Sequence, residues 1–249
     1  MAYFQQMQAM YSQIVFNGRI SYYKRNFATS FSRKTALIMG PPGGGKGTIS
    51  KKILKDFSFV HISTGDVLRA NVAQKTELGQ RAKAFMDKGE YVPDALMIDL
   101  VRAEVAAARG REGGEEGANV LLDGFPRTRA QAVALDAAQP VDFVVNLDVP
   151  HATIVRRLSG RWTHPGSGRV YALDYNPPRV DGRDDATGEP LVQRDDDKPE
   201  VVGARLQKYA ELTEPVLAHY ADQGKLHTFA GTESDVIYPE VKKFLETVV

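Results

Sequence analysis

The chain has no cysteine, which removes disulfides, thiol nucleophiles and cysteine-ligated zinc together. It also lacks an excess of either charge: 32 Lys and Arg face 31 Asp and Glu, a formal net charge of +1. That balance gives no pointer to nucleic acid or to an acidic partner. No apolar stretch approaches the roughly 20 residues of a membrane-spanning helix. A soluble, intracellular chain is expected, and its 249 residues are enough to bury a full core. One absence is local. From Met1 to Lys55 there is no Asp or Glu, while Arg19, Lys24, Arg25, Arg33 and Lys34 stand among Tyr, Phe, Ser and Gln. An acid-free, arginine-bearing N-terminus has the composition of a mitochondrial transit peptide, and equally of a basic arm. Residues 1–33 are set apart as an extension, with mitochondrial matrix and cytoplasm both left open.

Beyond the extension, short apolar runs alternate with helical patterns, as in a parallel α/β sheet. Strands are expected at 35–39, 59–62, 119–122, 143–147 and 225–229, with a long helix over 200–223 and another closing the chain. The pattern predicts a P-loop NTPase-type α/β fold, a parallel sheet of about five strands with helices on both faces. Two stretches interrupt the alternation. Residues 63–92 hold two short helical patterns and read as a small helical lobe. Residues 160–197, rich in Gly, Pro, Asp and Arg, read as an inserted lid or a disordered loop. The core domain then comprises 34–62, 93–159 and 198–249.

The segment Gly40-Pro-Pro-Gly-Gly-Gly-Lys-Gly-Thr48 follows an apolar run and precedes a helical pattern. Strand, glycine loop and helix in that order make a phosphate-binding loop. Gly43, Gly44, Gly45 and Gly47 let backbone N–H groups turn inward around an anion, and the helix N-terminus adds its positive end. Lys46 is placed to reach the outer phosphates of a nucleoside triphosphate. The usual Ser or Thr after the lysine is replaced by Gly47, with Thr48 following. Further on, the apolar run 119–122 ends in Asp123, and Gly124-Phe-Pro-Arg-Thr128 comes next. A carboxylate and a guanidinium thus fall at the C-terminal end of a strand, where open α/β sheets bind ligands.

These motifs, with Ile62-Ser-Thr-Gly-Asp-Val-Leu-Arg69, resemble the adenylate kinase family, whose own loop carries Lys-Gly-Thr. The resemblance runs from about residue 35 to the end, through Gly160-Arg-Trp162, Ser167-Gly-Arg-Val-Tyr171, Asn176-Pro-Pro178 and 184–189. Residues 161–165, 193–200 and 231–233 are most similar to the mitochondrial GTP:AMP branch of that family. It implies phosphoryl transfer from Mg²⁺-bound ATP or GTP to AMP, giving ADP, by a monomer that needs neither nucleic acid nor membrane.

Position by position, the resemblance makes Lys46, Arg127, Arg161, Arg194 and Arg205 the catalytic cations. Arg127, Arg194 and Arg205 also serve AMP, with Thr64, Arg69, Glu90, Tyr91, Val92, Gly124, Phe125, Pro126 and Gln131. Arginine suits such a site because its planar fork grips phosphate oxygens and keeps its proton. On the donor side it adds Arg157, Arg161, Val170, Tyr171 and the carbonyl of Glu233 to residues 43–48. Asp66 and Asp123 are implied to orient Mg²⁺ through water. His164, Ser167, Asp184 and Thr187 fall where some members bind zinc through cysteines. Ser and Thr are poor zinc ligands, so a hydrogen-bonded tetrad without structural zinc is expected. A kinase for UMP or CMP remains the nearer alternative. A GTP-binding switch is the remoter one, because the guanine-reading Asn-Lys-x-Asp is absent.

Overall fold

The computed structural model describes residues 33–86, 92–111, 118–194 and 197–249. The extension up to residue 32 lies outside them. Along the chain the strands are β1 (Thr35–Met39), β2 (Phe59–Ser63), β3 (Asn119–Asp123), β4 (Phe143–Asp148), the short β5 (Arg161–Thr163) and β6 (Val170–Ala172), and β7 (Leu226–Ala230). The helices are α1 (Lys46–Asp56), α2 (Thr64–Ala73), α3 (Glu77–Met86), α4 (Asp94–Arg111), α5 (Arg129–Ala138), α6 (His151–Ser159), α7 (Pro199–Leu212), α8 (Glu214–Asp222) and α9 (Ser234–Val248). Each of the five strands expected from sequence is present to within one residue.

Those five strands form one parallel sheet in the order β2-β3-β1-β4-β7. β1 lies at its centre and is buried throughout, which explains why its sequence is an unbroken apolar run. Its side chains still alternate. Leu37 and Met39 join a core with α4, α5 and α8, whereas Ala36 and Ile38 join a second core with α1, α6, α7 and α9. Helices therefore cover both faces, as expected. From β1 the chain proceeds to β2 on one side of the sheet, and after β3 to β4 on the other. This reversal leaves a crevice at the C-terminal end of β1, a topological switch point.

Two expectations needed correction. The single helix expected over 200–223 is two helices divided at Thr213. Pro215 lacks the N–H that would continue the ladder, and the Thr213 hydroxyl donates to the Arg127 carbonyl at 3.2 Å. The stretch 160–194, unreadable by periodicity, contains the antiparallel pair β5–β6 plus bridges from Thr163 to Val192 and Arg183 to Pro190. Strands of three residues are too short to show a period.

α2 and α3 pack closely enough that a Cβ at Gly79 would lie 2.0 Å from the Asn71 carbonyl oxygen. Backbone cannot yield as a flexible side chain does. Gly79→Ala is therefore expected to force the helices apart and to destabilise the protein by about 1–3 kcal/mol. Thermal and urea unfolding would check this, and unchanged stability would show that the two helices separate freely.

Candidate active site

The loop after β1 is shaped by its glycines. Gly43 and Gly45 have φ of 77° and 89°, left-handed values that disfavour any side chain. Gly45 caps α1 with no side-chain hydrogen bond, which leaves the first N–H groups of the helix to the cavity. Lys46 bends back so that its Nζ donates to the carbonyls of Gly40 at 2.8 Å and Pro41 at 3.0 Å. Burial lowers its amine to about 8, and Asp123 opposes this while Arg127, Arg161 and Arg205 add to it. Three guanidiniums from three other segments thus act on the one amine.

They line a single cavity of about 980 Å³ over the C-terminal ends of the strands. Asp123 ends β3 and faces Lys46 across it. Arg127 turns its Nε to the Gly124 carbonyl at 2.8 Å. Gly124 itself has a φ of 83°, and a Cβ there would meet Thr64 Oγ1 at 3.0 Å and Arg127 Nη2 at 3.4 Å. Thr64 is buried and donates to the Asp123 carbonyl at 3.2 Å, which ties the start of α2 to the end of β3. Asp66 is ion-paired with Arg69 one turn along α2. Burial disfavours its charge, but the Arg69 guanidinium and the Ser63 hydroxyl outweigh this and hold its carboxyl below the ordinary value.

Gln131 is buried in the first turn of α5, whose cap is Thr128. Its Oε1 accepts the Arg127 N–H at 2.7 Å, and its Nε2 donates to Asp94 at 2.6 Å. Val92, Phe125 and Pro126 complete this side of the cavity. Glu90 and Tyr91 lie outside the described residues.

On the opposite side, Arg161 Nε donates to Asp197 Oδ2 at 2.7 Å and Arg205 Nη1 to Asp197 Oδ1 at 3.0 Å. Asp197 is fully buried. Arg194 donates to the Thr163 hydroxyl at 3.1 Å. Val170 and Tyr171 line the cavity from β6, and Arg157 bonds the Thr232 carbonyl. Glu233 is not among the residues that line the cavity, and its carbonyl accepts the N–H groups of Val236 and Ile237 at the start of α9.

The four residues of the expected tetrad meet around Asp184. His164 Nδ1 lies 2.8 Å from Ser167 Oγ and its Nε2 lies 3.4 Å from Thr187 Oγ1. Thr187 Oγ1 in turn donates to Asp184 at 2.9 Å. Asp184 also accepts two bonds from Arg169 and one from Tyr171. Arg169 above all holds its carboxyl far below the usual range, against the opposing effect of burial. Glu189 adds a contact that sequence reasoning missed, 2.5 Å from His164 Nε2. Also missed were Asp197, Asp94 and His61, the last 3.8 Å from Asp123. Each acts across a long sequence separation, so no local spacing marks it.

A family model described as adenylate kinase matches residues 38–225. The chain is also 47% identical, over 210 residues, to the "GTP:AMP phosphotransferase, mitochondrial" of Drosophila melanogaster. That match covers 84% of this chain and 94% of the relative.

Because one carboxylate collects bonds from Arg169, Tyr171 and Thr187, its loss should be felt throughout the insertion. Asp184→Leu is expected to raise amide hydrogen exchange across 161–192 while the parallel sheet keeps its protection. Exchange read by mass spectrometry would decide, and unchanged protection in 161–192 would show that Asp184 is not what orders this segment.

Proposed function

The chain belongs to the adenylate kinase family, and we propose that its cavity transfers the terminal phosphate of Mg²⁺-GTP or Mg²⁺-ATP to AMP, giving ADP, with GTP favoured. The observation that carries this reading is the convergence of Arg127, Arg161 and Arg205 on the desolvated Lys46. Two phosphate chains brought into line need that concentration of positive charge, and phosphoryl transfer is mainly positioning and charge compensation.

In this reading the N–H groups of residues 43–48 and the Lys46 amine hold the donor phosphates. Arg69 and Arg127 hold the monophosphate, with Gln131 and Thr64 at its base. Arg161, Arg194 and Arg205 come from the other side to the group in flight. Residues 63–92 form the monophosphate lobe and 160–197 the lid, whose closure excludes water as a competing acceptor. The core is 34–62, 93–159 and 198–249. Asp123, and Asp66 across the same cavity, are oxygen donors of the kind a hard cation prefers through its water shell. Mg²⁺ bound there would neutralise charge on the phosphates. The His164, Ser167, Asp184 and Thr187 tetrad holds the lid by hydrogen bonds, without zinc. The enzyme acts as a monomer in the mitochondrial matrix, a placement supported by the relative's name and by the acid-free extension of residues 1–33.

Lys46 supplies a test through pH. Its amine sits at about 8 in the folded protein, below the roughly 10.4 of a free lysine. A triphosphate holds only the charged form, so binding raises that value. Below about pH 8 the amine is already protonated and affinity is flat; above it, affinity falls by up to about tenfold per unit. Triphosphate binding at about pH 8 is therefore expected to take up a proton, measurable by calorimetry in two buffers of different ionisation heat. Lys46→Met should abolish the uptake and raise the activation barrier by about 3 kcal/mol or more. Uptake that persists in Lys46→Met would show that another group carries the effect.

The donor base is held by weaker means. It is assigned to Arg157 and the backbone around Thr232 and Glu233, beside Val170 and Tyr171. Such contacts discriminate poorly, and one hydrogen bond gained or lost shifts preference by roughly 1 kcal/mol. Both donors are expected to work, with kcat/KM for GTP higher by less than about tenfold. An ATP preference above tenfold at saturating AMP would reverse the donor assignment.

A further inference from the structure

We propose that Asp94 is the positioning residue that locks the Gln131 amide in the one orientation able to read a 6-aminopurine monophosphate, so that 6-oxopurine monophosphates are refused. The inference rests on the assignment of Gln131 to the acceptor base. Gln131 is only 4% exposed, and both ends of its amide are held. Oε1 accepts the Arg127 backbone N–H at 2.7 Å, and Nε2 donates to Asp94 Oδ1 at 2.6 Å. A backbone N–H can only donate, and an ionised carboxylate can only accept. Turning the amide over would set donor against donor at one end and oxygen against carboxylate at the other. The two partners therefore fix the assignment of O and N without ambiguity.

The same carboxylate also anchors the turn that carries Gln131. Asp94 Oδ2 accepts from the Thr128 hydroxyl at 3.4 Å, and that hydroxyl's oxygen accepts the Gln131 N–H at 3.1 Å. Asp94 stands in the first turn of α4 and is not itself part of the cavity wall, whereas Gln131 is. With two of its four hydrogen-bonding positions occupied, the amide keeps one N–H and one lone pair for a base.

Adenine presents an amine donor at C6 beside the N1 acceptor, which matches that remaining pair. Hypoxanthine and guanine present a C6 oxygen beside an N1–H and match only the overturned amide. A site of this kind discriminates because the wrong base leaves buried polar groups unpaired. A hydroxyl or amide at position 94 would follow the overturned amide by rotating, leaving only the neutral Arg127 N–H against it, whereas a carboxylate cannot and adds the larger, charged part of the penalty.

The test compares AMP with IMP as acceptor, at saturating donor, in the full-length chain and in Asp94→Asn and Asp94→Ser, both of which keep a polar group in the first turn of α4. The ratio of kcat/KM for AMP over IMP is expected to fall by at least about tenfold. The change should lie in the acceptor KM values, a lower KM for IMP and a higher one for AMP. The donor KM and the kcat with AMP should hold at wild-type values. An unchanged ratio in either variant with wild-type melting would overturn the role of Asp94. A donor KM that rises as far as the AMP KM would overturn it too, since the carboxylate would then be merely structural. A wild-type chain that does not phosphorylate AMP would instead sink the reading of Gln131 on which the inference rests.

Discussion

Crowded positive charge is the constraint on which the rest of the structure depends. Lys46 is desolvated, with Arg127, Arg161 and Arg205 acting on it and only Asp123 opposing them. Left alone, such a cluster would repel itself apart. The fold answers with carboxylates and carbonyls placed one per cation or pair of cations. Gly40 and Pro41 carbonyls take the lysine, Asp197 takes Arg161 and Arg205, and the Gly124 carbonyl takes Arg127. Asp197 is buried and the two guanidiniums are mostly so, which strengthens the attraction at close range and leaves neither side free to drift. Each cation is held in position before it has an anion to meet. Preorganisation of this kind is what electrostatic catalysis requires.

That arrangement is possible because the backbone beneath it is rigid. β1 is sealed between two helical layers, so the loop that leaves it starts from a fixed point. Gly40 fits against Leu147 of β4, where a Cβ would come within 2.8 Å of a carbonyl oxygen. The loop is thus packed down onto the sheet, and the left-handed turns at Gly43 and Gly45 then aim its N–H groups into the cavity. The segment 160–194 is stabilised in a different way. Apart from Tyr171, Leu191 and a few neighbours it has little apolar interior, and its order comes from the polar hub at Asp184. An element held by hydrogen bonds rather than by a core can be ordered and still separate from the sheet as a unit.

The sequence made some of this legible and hid the rest for identifiable reasons. Strands buried on both faces read as continuous apolar runs, so β1, β3 and β4 could be located closely. The phosphate loop was legible because its chemistry demands glycines and a lysine at fixed spacing. Arg69, Arg161, Arg194 and Arg205 were reached only through family resemblance, since a lone arginine in a sequence is indistinguishable from a surface one. Their carboxylate partners stayed hidden. Asp197 reaches Arg161 across 36 residues and Asp94 reaches Gln131 across 37, distances at which no local pattern survives. The break at Thr213 was readable in principle from Pro215, but the helical periodicity on either side concealed it. A position matched to a family likewise does not reveal that the Glu233 carbonyl already accepts two N–H groups in the first turn of α9.

Under the proposed function the two ends of the cavity divide the work of selection unequally. The acceptor base would then meet a buried amide whose orientation is set by a carboxylate, a backbone N–H and a capped helix turn. On the donor side the corresponding residues are a half-buried arginine and a backbone carbonyl already bonded to it. An amide fixed at both ends can tell a C6 amine from a C6 oxygen, whereas contacts that any purine can make cannot. Under the proposed function this asymmetry has a use. A chain that accepts guanine nucleotides as donors must keep guanine monophosphates out of the acceptor place, or the two sites would compete for the same ligands. A permissive donor pocket is tolerable only because the other base is read by groups that cannot turn over.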